Sequence, residues 1–305
     1  MRVFVTGGTG AIGNYVVPQL LAAGHEVTAT ARSAEKAAAV RRSGAAAVEV
    51  SIFDRTALAE AFHGHDAVIN LATSLPSPQR FVLDSAWTEC LRIRTEGSAA
   101  INDASLAAGV GRVVQESVAM IYPDSGDRWI DEADPVDHYP IAAGNHAAEA
   151  NARRFGHSGR DVVVLRFGLF YGHGAAHSEQ IMDLARRHIV FQVGRPHGYV
   201  SSIHLADAAS AVVAALEAPG GTYNVVDDHP VTKRQHTKAL TDAVGISRAL
   251  IGPGRAALLL GDRTTSMTRS LRVSNRRFRA ATDWSPRYFS VFEGYRDMAR
   301  TNLST

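Results

Sequence analysis

The spacing Thr6-Gly7-x-x-Gly10-x-x-Gly13 is the pattern in this chain with the most definite chemical use, and Gly8-x-Gly10-x-x-Gly13 overlaps it. Glycines so placed let backbone approach an anion that side chains would hold off. A β-branched and aromatic run, Arg2 to Thr6, precedes the turn, and an apolar helical pattern (Ile12, Val16, Val17, Leu20, Leu21) follows it. A strand, a glycine turn and a helix N-terminus in that order cradle a pyrophosphate. The cradle would be Thr6, Gly7, Gly10, Ala11, Ile12 and Gly13. A second strand, His25 to Ala31, ends at Arg32 and Ser33 with Lys36 a turn later. An acid at this point bonds the ribose 2′-hydroxyl of a dinucleotide, whereas an arginine accommodates a 2′-phosphate. Glu26 lies at the opposite end of the strand and Glu35 falls in the next helix, so NADP(H) is favoured over NAD(H).

Positioning such a site takes alternating strands and helices. Ala46–Ile52 reads as a third strand, and Asp54 is placed to cap a helix over Arg55–His63. Asp66–Ala72 reads as a fourth strand running into the proline-broken loop Thr73–Pro78, followed by a long helix, roughly Ser85–Ala108. Val110–Ser117 is a fifth strand, Ile141–His157 an alanine-rich helix and Asp161–Phe167 a sixth strand. Such alternation predicts an α/β, doubly wound parallel sheet. Beyond Gly168 the spacing predicts a glycine-rich loop at Phe170–Gly174, helices over Glu179–His188 and Asp207–Leu216, and a sheet strand at Thr222–Val226. The remainder, with Pro230, Pro253 and Gly254, reads as a small helical lobe. The predicted division is a dinucleotide-binding domain of residues 1–167 rejoined by about 201–228, and a substrate-binding lobe of 168–200 and 229–305.

At 305 residues, 46% hydrophobic and 20% charged, the chain has the composition of a globular protein with a large core. Its net charge is +2 with both signs interspersed, which points to neither nucleic acid nor anionic membrane as partner. The one cysteine, Cys90, excludes an internal disulfide and a multi-cysteine metal site. Met1 leads directly into the first strand and no apolar run reaches membrane-span length, which points to a cytoplasmic protein. No metal is expected: His173 and His177 have i, i+4 spacing but no evident third ligand.

The opening glycine pattern, Asn70-Leu-Ala72, Arg166-Phe-Gly-Leu-Phe-Tyr-Gly172, Ile203-His-Leu-Ala-Asp207 and Tyr223-Asn-Val-Val226 occur in one order over nearly the whole chain. Together they resemble the extended short-chain dehydrogenases, the NAD-dependent epimerase/dehydratase superfamily. The resemblance implies a Rossmann sheet carrying a nicotinamide dinucleotide, with a small-molecule substrate between the sheet and a smaller C-terminal lobe. It places Ser51 and Ile52 near the adenine and Ala72 and Thr73 near the nicotinamide ribose. It also implies a homodimer packed through the helices at about 86–108 and 142–157.

That family transfers its proton through a tyrosine and a lysine four residues later on one helix, so that both side chains share a face. Aligned on the usual trailing glutamate, Glu149, the two positions are Ile141 and Asn145, and Tyr139 with Ala143 does not restore the pair. The asparagine expected three residues before Gly97 is Arg94, and the serine or threonine expected four before Tyr122 is Val118, with Ser117 one place off. The chain thus looks like an atypical member. Candidates for the missing chemistry are Ser117 and Glu116 at a strand's carboxyl end, Tyr122 as a phenol, and His146 beside the lost lysine position. Asn145 remains as a ribose contact. Arg94 reads as a replacement cation or as the partner of Glu96 or Glu116. Arg269, in a cluster with Arg272, reads as a substrate contact or a solvated face. In Ile203–Asp207, Asp207 is expected to cap its helix and His204 to bond backbone. No G-x-S-x-G supports a serine hydrolase. The expected function is an NADP(H)-dependent oxidoreductase acting on a small-molecule carbonyl or alcohol with non-standard proton transfer. The alternatives are an isomerase, lyase or cyclase on the same fold, and a non-catalytic NADP-binding redox sensor.

Overall fold

The structure is a computed structural model and describes residues 1–301. Its centre is the expected sheet. The strands β1 (Arg2–Thr6), β2 (Glu26–Thr30), β3 (Ala46–Val48), β4 (Ala67–Asn70) and β5 (Arg112–Val118) are joined by strands Asp161–Phe167 and Gly221–Val225. The order across the sheet is Gly221–Val225, Asp161–Phe167, β5, β4, β1, β2, β3, and every ladder is parallel. Apolar side chains fill both faces, as a parallel sheet covered on both sides requires. In β1, Val3 and Val5 join one core with Val17, Leu20, Ile69 and Val114, while Phe4 joins the other with Phe62, Val68, Ile101 and Phe155. The Phe4 and Phe62 rings meet edge-on at 4.7 Å. Burying such a side chain stabilises the fold by about 1.5–3 kcal/mol.

The helices α1 (Gly13–Ala22) and Leu205–Ala214 pack together over the first core; α3 (Arg55–Phe62), α5 (Ser98–Ala107) and α6 (Ala143–Gly156) cover the second. Ser33 caps α2 (Ala34–Arg42), and Asp54 caps α3 as expected, its Oδ1 accepting from the Ala57 N–H at 3.0 Å. No described helix is long and apolar enough to cross a membrane.

Several expected elements differ. The third strand stops at Val48 because β2 ends at Thr30, the last residue that pairs with it, so the chain beyond Val48 has no neighbour to bond. The long helix over Ser85–Ala108 is broken into a 3₁₀ turn Asp84–Trp87, α4 (Thr88–Arg92), a π-turn Ile93–Gly97, and α5. At the π-turn, hydroxyls compete for the helix carbonyls: Thr95 Oγ1 donates to Leu91 O at 2.8 Å and Ser98 Oγ to Arg94 O at 2.6 Å. The expected loop at Phe170 begins instead as strand Leu169–Tyr171, paired with Ser202–His204. The region after Val226 is not purely helical. Its strands Val231–Thr232, Leu250–Gly254 and Arg272–Val273 each pair with an earlier segment, Tyr199–Val200, Ile189–Val193 and Trp129–Ile130 respectively.

Candidate functional site

The glycine turn is built as its spacing demands. Gly7 has φ +77°, and a Cβ there would lie 2.6 Å from the Leu71 carbonyl oxygen, so the turn packs directly on the chain leaving β4. A Cβ on Gly13 would lie 2.3 Å from Gly7 O; on Gly10 it would meet only that same oxygen, at 3.2 Å. Gly7 and Gly13 are thus required by packing, and Gly10 leaves bare backbone facing outward, with Ala11 exposed beside it. Ile12 heads α1 with no side-chain cap, and the first turn holds no acid. An uncapped helix N-terminus beside bare backbone suits a phosphate group. The Thr6 hydroxyl is not available to it: fully buried, it donates to Asn70 Oδ1 at 2.7 Å, and Asn70 donates to Gln115 Oε1 at 2.9 Å. These bonds lock the carboxyl ends of β1, β4 and β5 together, so Thr6 can offer a ligand only its backbone.

At the end of β2, Arg32 is exposed with no carboxylate paired to it among the described residues. Ser33 is exposed and already accepts from the Lys36 N–H at 3.3 Å as the α2 cap. Ser51 is exposed, its Oγ accepting from Phe53 N at 3.3 Å. Ile52 packs where a Cβ on Gly97 would lie 3.2 Å from its Cδ1. Ala72 N–H donates to Asn70 Oδ1 at 3.2 Å, which fixes the first residue of the loop after β4.

Beyond β4 and β5 the centre of the site is Arg94, 4% exposed and borne on the π-turn. Its Nη2 donates to both Glu116 oxygens, at 2.9 and 3.1 Å, and reaches Thr73 Oγ1 at 3.4 Å. Its Nη1 donates to Asn145 Oδ1, and Nε is buried with no hydrogen-bond partner among the described residues. Three segments therefore meet on one guanidinium: the loop after β4, the end of β5 and the first turn of α6. Gly144 makes the approach possible, since a Cβ there would lie 3.0 Å from Arg94 Cβ. Burial pushes the Glu116 carboxyl up, against the pull of Arg94. Of the two partners expected for Arg94, Glu116 is the one it takes; Glu96 pairs with Arg92.

One turn along α6 from Asn145, Glu149 is 1% exposed and organises a second network. Arg166 Nε and Nη2 donate to its two oxygens at 2.8 Å each, Arg153 Nη2 donates at 2.6 Å, and Ser117 Oγ donates at 2.7 Å. Burial would raise the Glu149 carboxyl, yet the bonds from Arg166 and Ser117 and the charge of Arg153 hold it below the ordinary range. Arg166 Nη1 also donates to the Tyr122 hydroxyl at 2.8 Å, which donates to Asn224 Oδ1 at 2.9 Å.

These contacts revise the candidate catalytic residues. Ser117 and Tyr122, both 0% exposed, have hydroxyls engaged in the Glu149–Arg166 network, so they tie strands and helix together rather than face a ligand. Tyr139, its phenol pushed up to about 12 by burial, donates to Met120 O at 2.9 Å. His146 stacks on His138 at 4.1 Å, and its Nε2 bonds Asp137 O at 2.9 Å, away from Arg94 and its partners. Arg269 donates to Tyr122 O at 2.7 Å, pairs with the Asp137 carboxylate and lies over the Tyr139 ring, so its charge is engaged within the fold. In the His204–Asp207 segment His204 bonds backbone as expected, but it is His204 and not Asp207 that caps the helix. His204 Nδ1 caps the helix by accepting from Ala206 N at 3.2 Å, while the Asp207 carboxylate accepts from the N–H groups of Arg287 and Tyr288. His177 Nε2 bonds Phe170 O at 2.6 Å. Sequence reasoning passed over Arg166 and used Glu149 only as an alignment mark. Their signal was a charged residue inside an otherwise apolar strand and another on a helix face that turns toward the sheet.

Residues 3–226 match the model of the NAD dependent epimerase/dehydratase family. The chain belongs to that family. Among curated relatives it is similar to a 3-diazoavenalumate denitrifying reductase from a Streptomyces species, 31% identical over 96% of this chain and 99% of the relative. It is also 29% identical to a 4-hydroxy-2-methyl-3-oxo-4-farnesyl-3,4-dihydroquinoline-1-oxide ketoreductase from Stigmatella aurantiaca, over 86% of this chain and 80% of the relative. Among solved structures, human epimerase family protein SDR39U1 with NADPH superposes with a TM-score of 0.84 at 25% identity, over 98% of this chain and 99% of that one.

Proposed function

We propose that this protein is an NADP(H)-dependent oxidoreductase acting on a small-molecule carbonyl or alcohol. The observation that carries the reading is the glycine turn, shaped by Gly7 and Gly13, followed across the sheet by an exposed Arg32 that no carboxylate pairs with among the described residues. Solved neighbours of this fold hold NADPH in one case and NAD in another, so the fold serves either, and the choice of NADP rests on Arg32. In this reading Gly7, Gly10, Ala11, Ile12 and Gly13 face the pyrophosphate, Arg32 and Ser33 the 2′-phosphate, Ser51 and Ile52 the adenine. Ala72, Thr73 and Asn145 face the nicotinamide ribose. Residues 1–167 and about 201–228 form the dinucleotide-binding domain. The substrate lies between the sheet and the lobe of 168–200 and 229–305. The protein works as a homodimer through α4, α5 and α6.

The cofactor supplies hydride; the chain must orient the acceptor and stabilise its developing negative charge. Arg94 is the group for that second task. It is a permanent cation, held by Glu116, Thr73 and Asn145 where the resemblance puts the lost lysine. An alkoxide formed beside it takes its proton from solvent. A second reading is favoured by Ile141 and Asn145 standing where a phenol and an ammonium are usual. Such a site suits an acceptor that needs hydride alone. An arenediazonium is one: hydride adds to the terminal nitrogen to give an aryldiazene. The diazene N–H proton is lost to solvent as the carbon–nitrogen bond breaks and dinitrogen leaves, and the ring carbon takes a proton back to give the arene, so no net proton is consumed. The Streptomyces relative, named as a denitrifying reductase, is consistent with that class.

The test is NADPH absorbance with a panel of ketones and arenediazonium salts. Steady oxidation with either supports an oxidoreductase and says which electrophile is used. Conversion of substrate without net NADPH change points to an isomerase, lyase or cyclase, and binding without any conversion points to a sensor.

A further inference from the structure

The stretch Arg255–Arg263, two 3₁₀ turns with a kink at Gly261, lies beside segments that follow β4 and β5 in the chain. Arg263 Nη2 lies 3.7 Å from Asp84 Oδ2, in the stretch that follows β4. The segment touches Pro140–Ala142, which holds Ile141, and the next helix, Thr265–Thr268, touches Ala119–Ile121 directly after β5. Here the chain shows water Leu258, Leu259 and Leu260, at 45%, 88% and 48% exposure. On the stretch joined to it through Asp84, Leu75 and Leu83 are 58% and 47% exposed. Isolated exposed leucines are ordinary, but three in succession, on a stretch linked by Arg263–Asp84 to another that carries two more, are a surface suited to an apolar ligand.

Four cations of the lobe are engaged within the fold. Arg269 is held by Asp137 and Tyr122 O. Arg272 lies over the Trp129 and Tyr199 rings, at 4.3 and 4.8 Å, and donates to Asp127 O at 3.3 Å. Arg279 pairs with Asp228 at 2.9 Å, and Lys233 is buried with its Nζ on Met267 O. Arg80 and Arg255 stay exposed on the two leucine-bearing segments and can meet a peripheral anionic group, but neither contributes to the apolar surface between.

We propose that Leu258–Leu260 with Leu75 and Leu83 form the mouth of the substrate site, and that the substrate presents an apolar body there rather than a nucleotide diphosphate. This rests on reading the crevice as an oxidoreductase site, and it narrows the substrate class to hydrophobic small molecules.

Dissociation constants of aryl alkyl ketones, acetophenone through octanophenone, test it by calorimetry on the full chain with and without NADPH. Affinity should tighten about two- to fourfold per added methylene as each is buried. In Leu83→Ser/Leu259→Ser that dependence on chain length should flatten while the NADPH affinity stays unchanged; both positions are exposed, and the melting temperature verifies the fold. UDP-glucose should not displace octanophenone. A flat chain-length series in the parent protein, an unchanged slope in the double variant, or displacement by UDP-glucose overturns the proposal. Failure to bind NADPH would instead count against the oxidoreductase reading, and the ketone series on the free protein would still decide the nature of the mouth.

Discussion

Arg94 and Glu116 form a buried pair whose two members depend on each other. Removing one strands a charge in an apolar setting, which costs about 3–5 kcal/mol, whereas replacing both by apolar groups is often tolerated. Arg94→Met should therefore lower stability by that order in urea unfolding, and Arg94→Met/Glu116→Met should recover most of it. Both variants should lose turnover if Arg94 is the cation at the reacting centre. Ser117→Ala and Tyr122→Phe should each cost about 1–3 kcal/mol, since each unpairs a buried group of the Glu149 network. Turnover should survive both; a selective collapse of kcat with unchanged stability would restore them as catalytic groups. His204 gives a prediction with a definite sign. Desolvation lowers its imidazole to about 4 from 6.5. A group that resists protonation in the folded state contributes stability that is complete above pH 6.5 and lost as pH falls toward 4. Asp227, its carboxyl raised well above the ordinary range by burial, works in the opposite sense, so a difference measurement is needed. The stability gap between parent and His204→Asn, which keeps a cap acceptor, should narrow by roughly 3 kcal/mol between pH 6.5 and 4. A gap constant with pH would mean that His204 is not held neutral.

Elements with strong periodicity and clear caps were legible from composition and spacing. The β1–turn–α1 unit, the Asp54 cap and the parallel order of the sheet all stand as read, because each follows from local chemistry: glycine at a close approach, a carboxylate at a helix start, apolar runs buried on both faces. The third strand was read too long because its length is set by where β2 stops, which is not encoded in its own residues. The helix around Arg94 was read as continuous because its widening comes from Thr95 and Ser98 hydroxyls bonding carbonyls of the preceding turn, a choice no helical periodicity reveals. That turn matters for the site, since it carries Arg94 toward Asn145. Gly144→Ala should therefore act at a distance. Its Cβ would press on Arg94 Cβ at 3.0 Å, and NADPH binding should weaken while the sheet keeps its melting cooperativity. Gly13→Ala, with a Cβ 2.3 Å from Gly7 O, should abolish the thermal shift produced by NADPH altogether.

For the molecule as a whole, the departures at Ile141 and Asn145 and the pairing of Arg94 with Glu116 were legible as alternatives, but the way these residues assemble was not. Arg94, Glu116, Thr73 and Asn145 come from separate segments, and only the packing of α6 against the π-turn brings them within bonding distance. Ser117, Tyr122 and His146 looked reactive because they lie near the right strand ends in sequence; the fold turns their polar atoms onto Glu149, Arg166 and Asp137. The glycine turn depends less on such long-range assembly, which is why its local shape at Gly7 and Gly13 follows from the spacing alone. The central claim is therefore that the chain holds NADP(H) through the glycine turn and Arg32. Titrating the parent protein and Arg32→Ala with NADPH and with NADH tests it most directly. The account predicts that the parent binds NADPH at least about tenfold more tightly than NADH, as a charge-assisted phosphate contact would give. The preference should vanish in the variant. Equal or tighter binding of NADH by the parent, or a preference that survives the loss of Arg32, would contradict it.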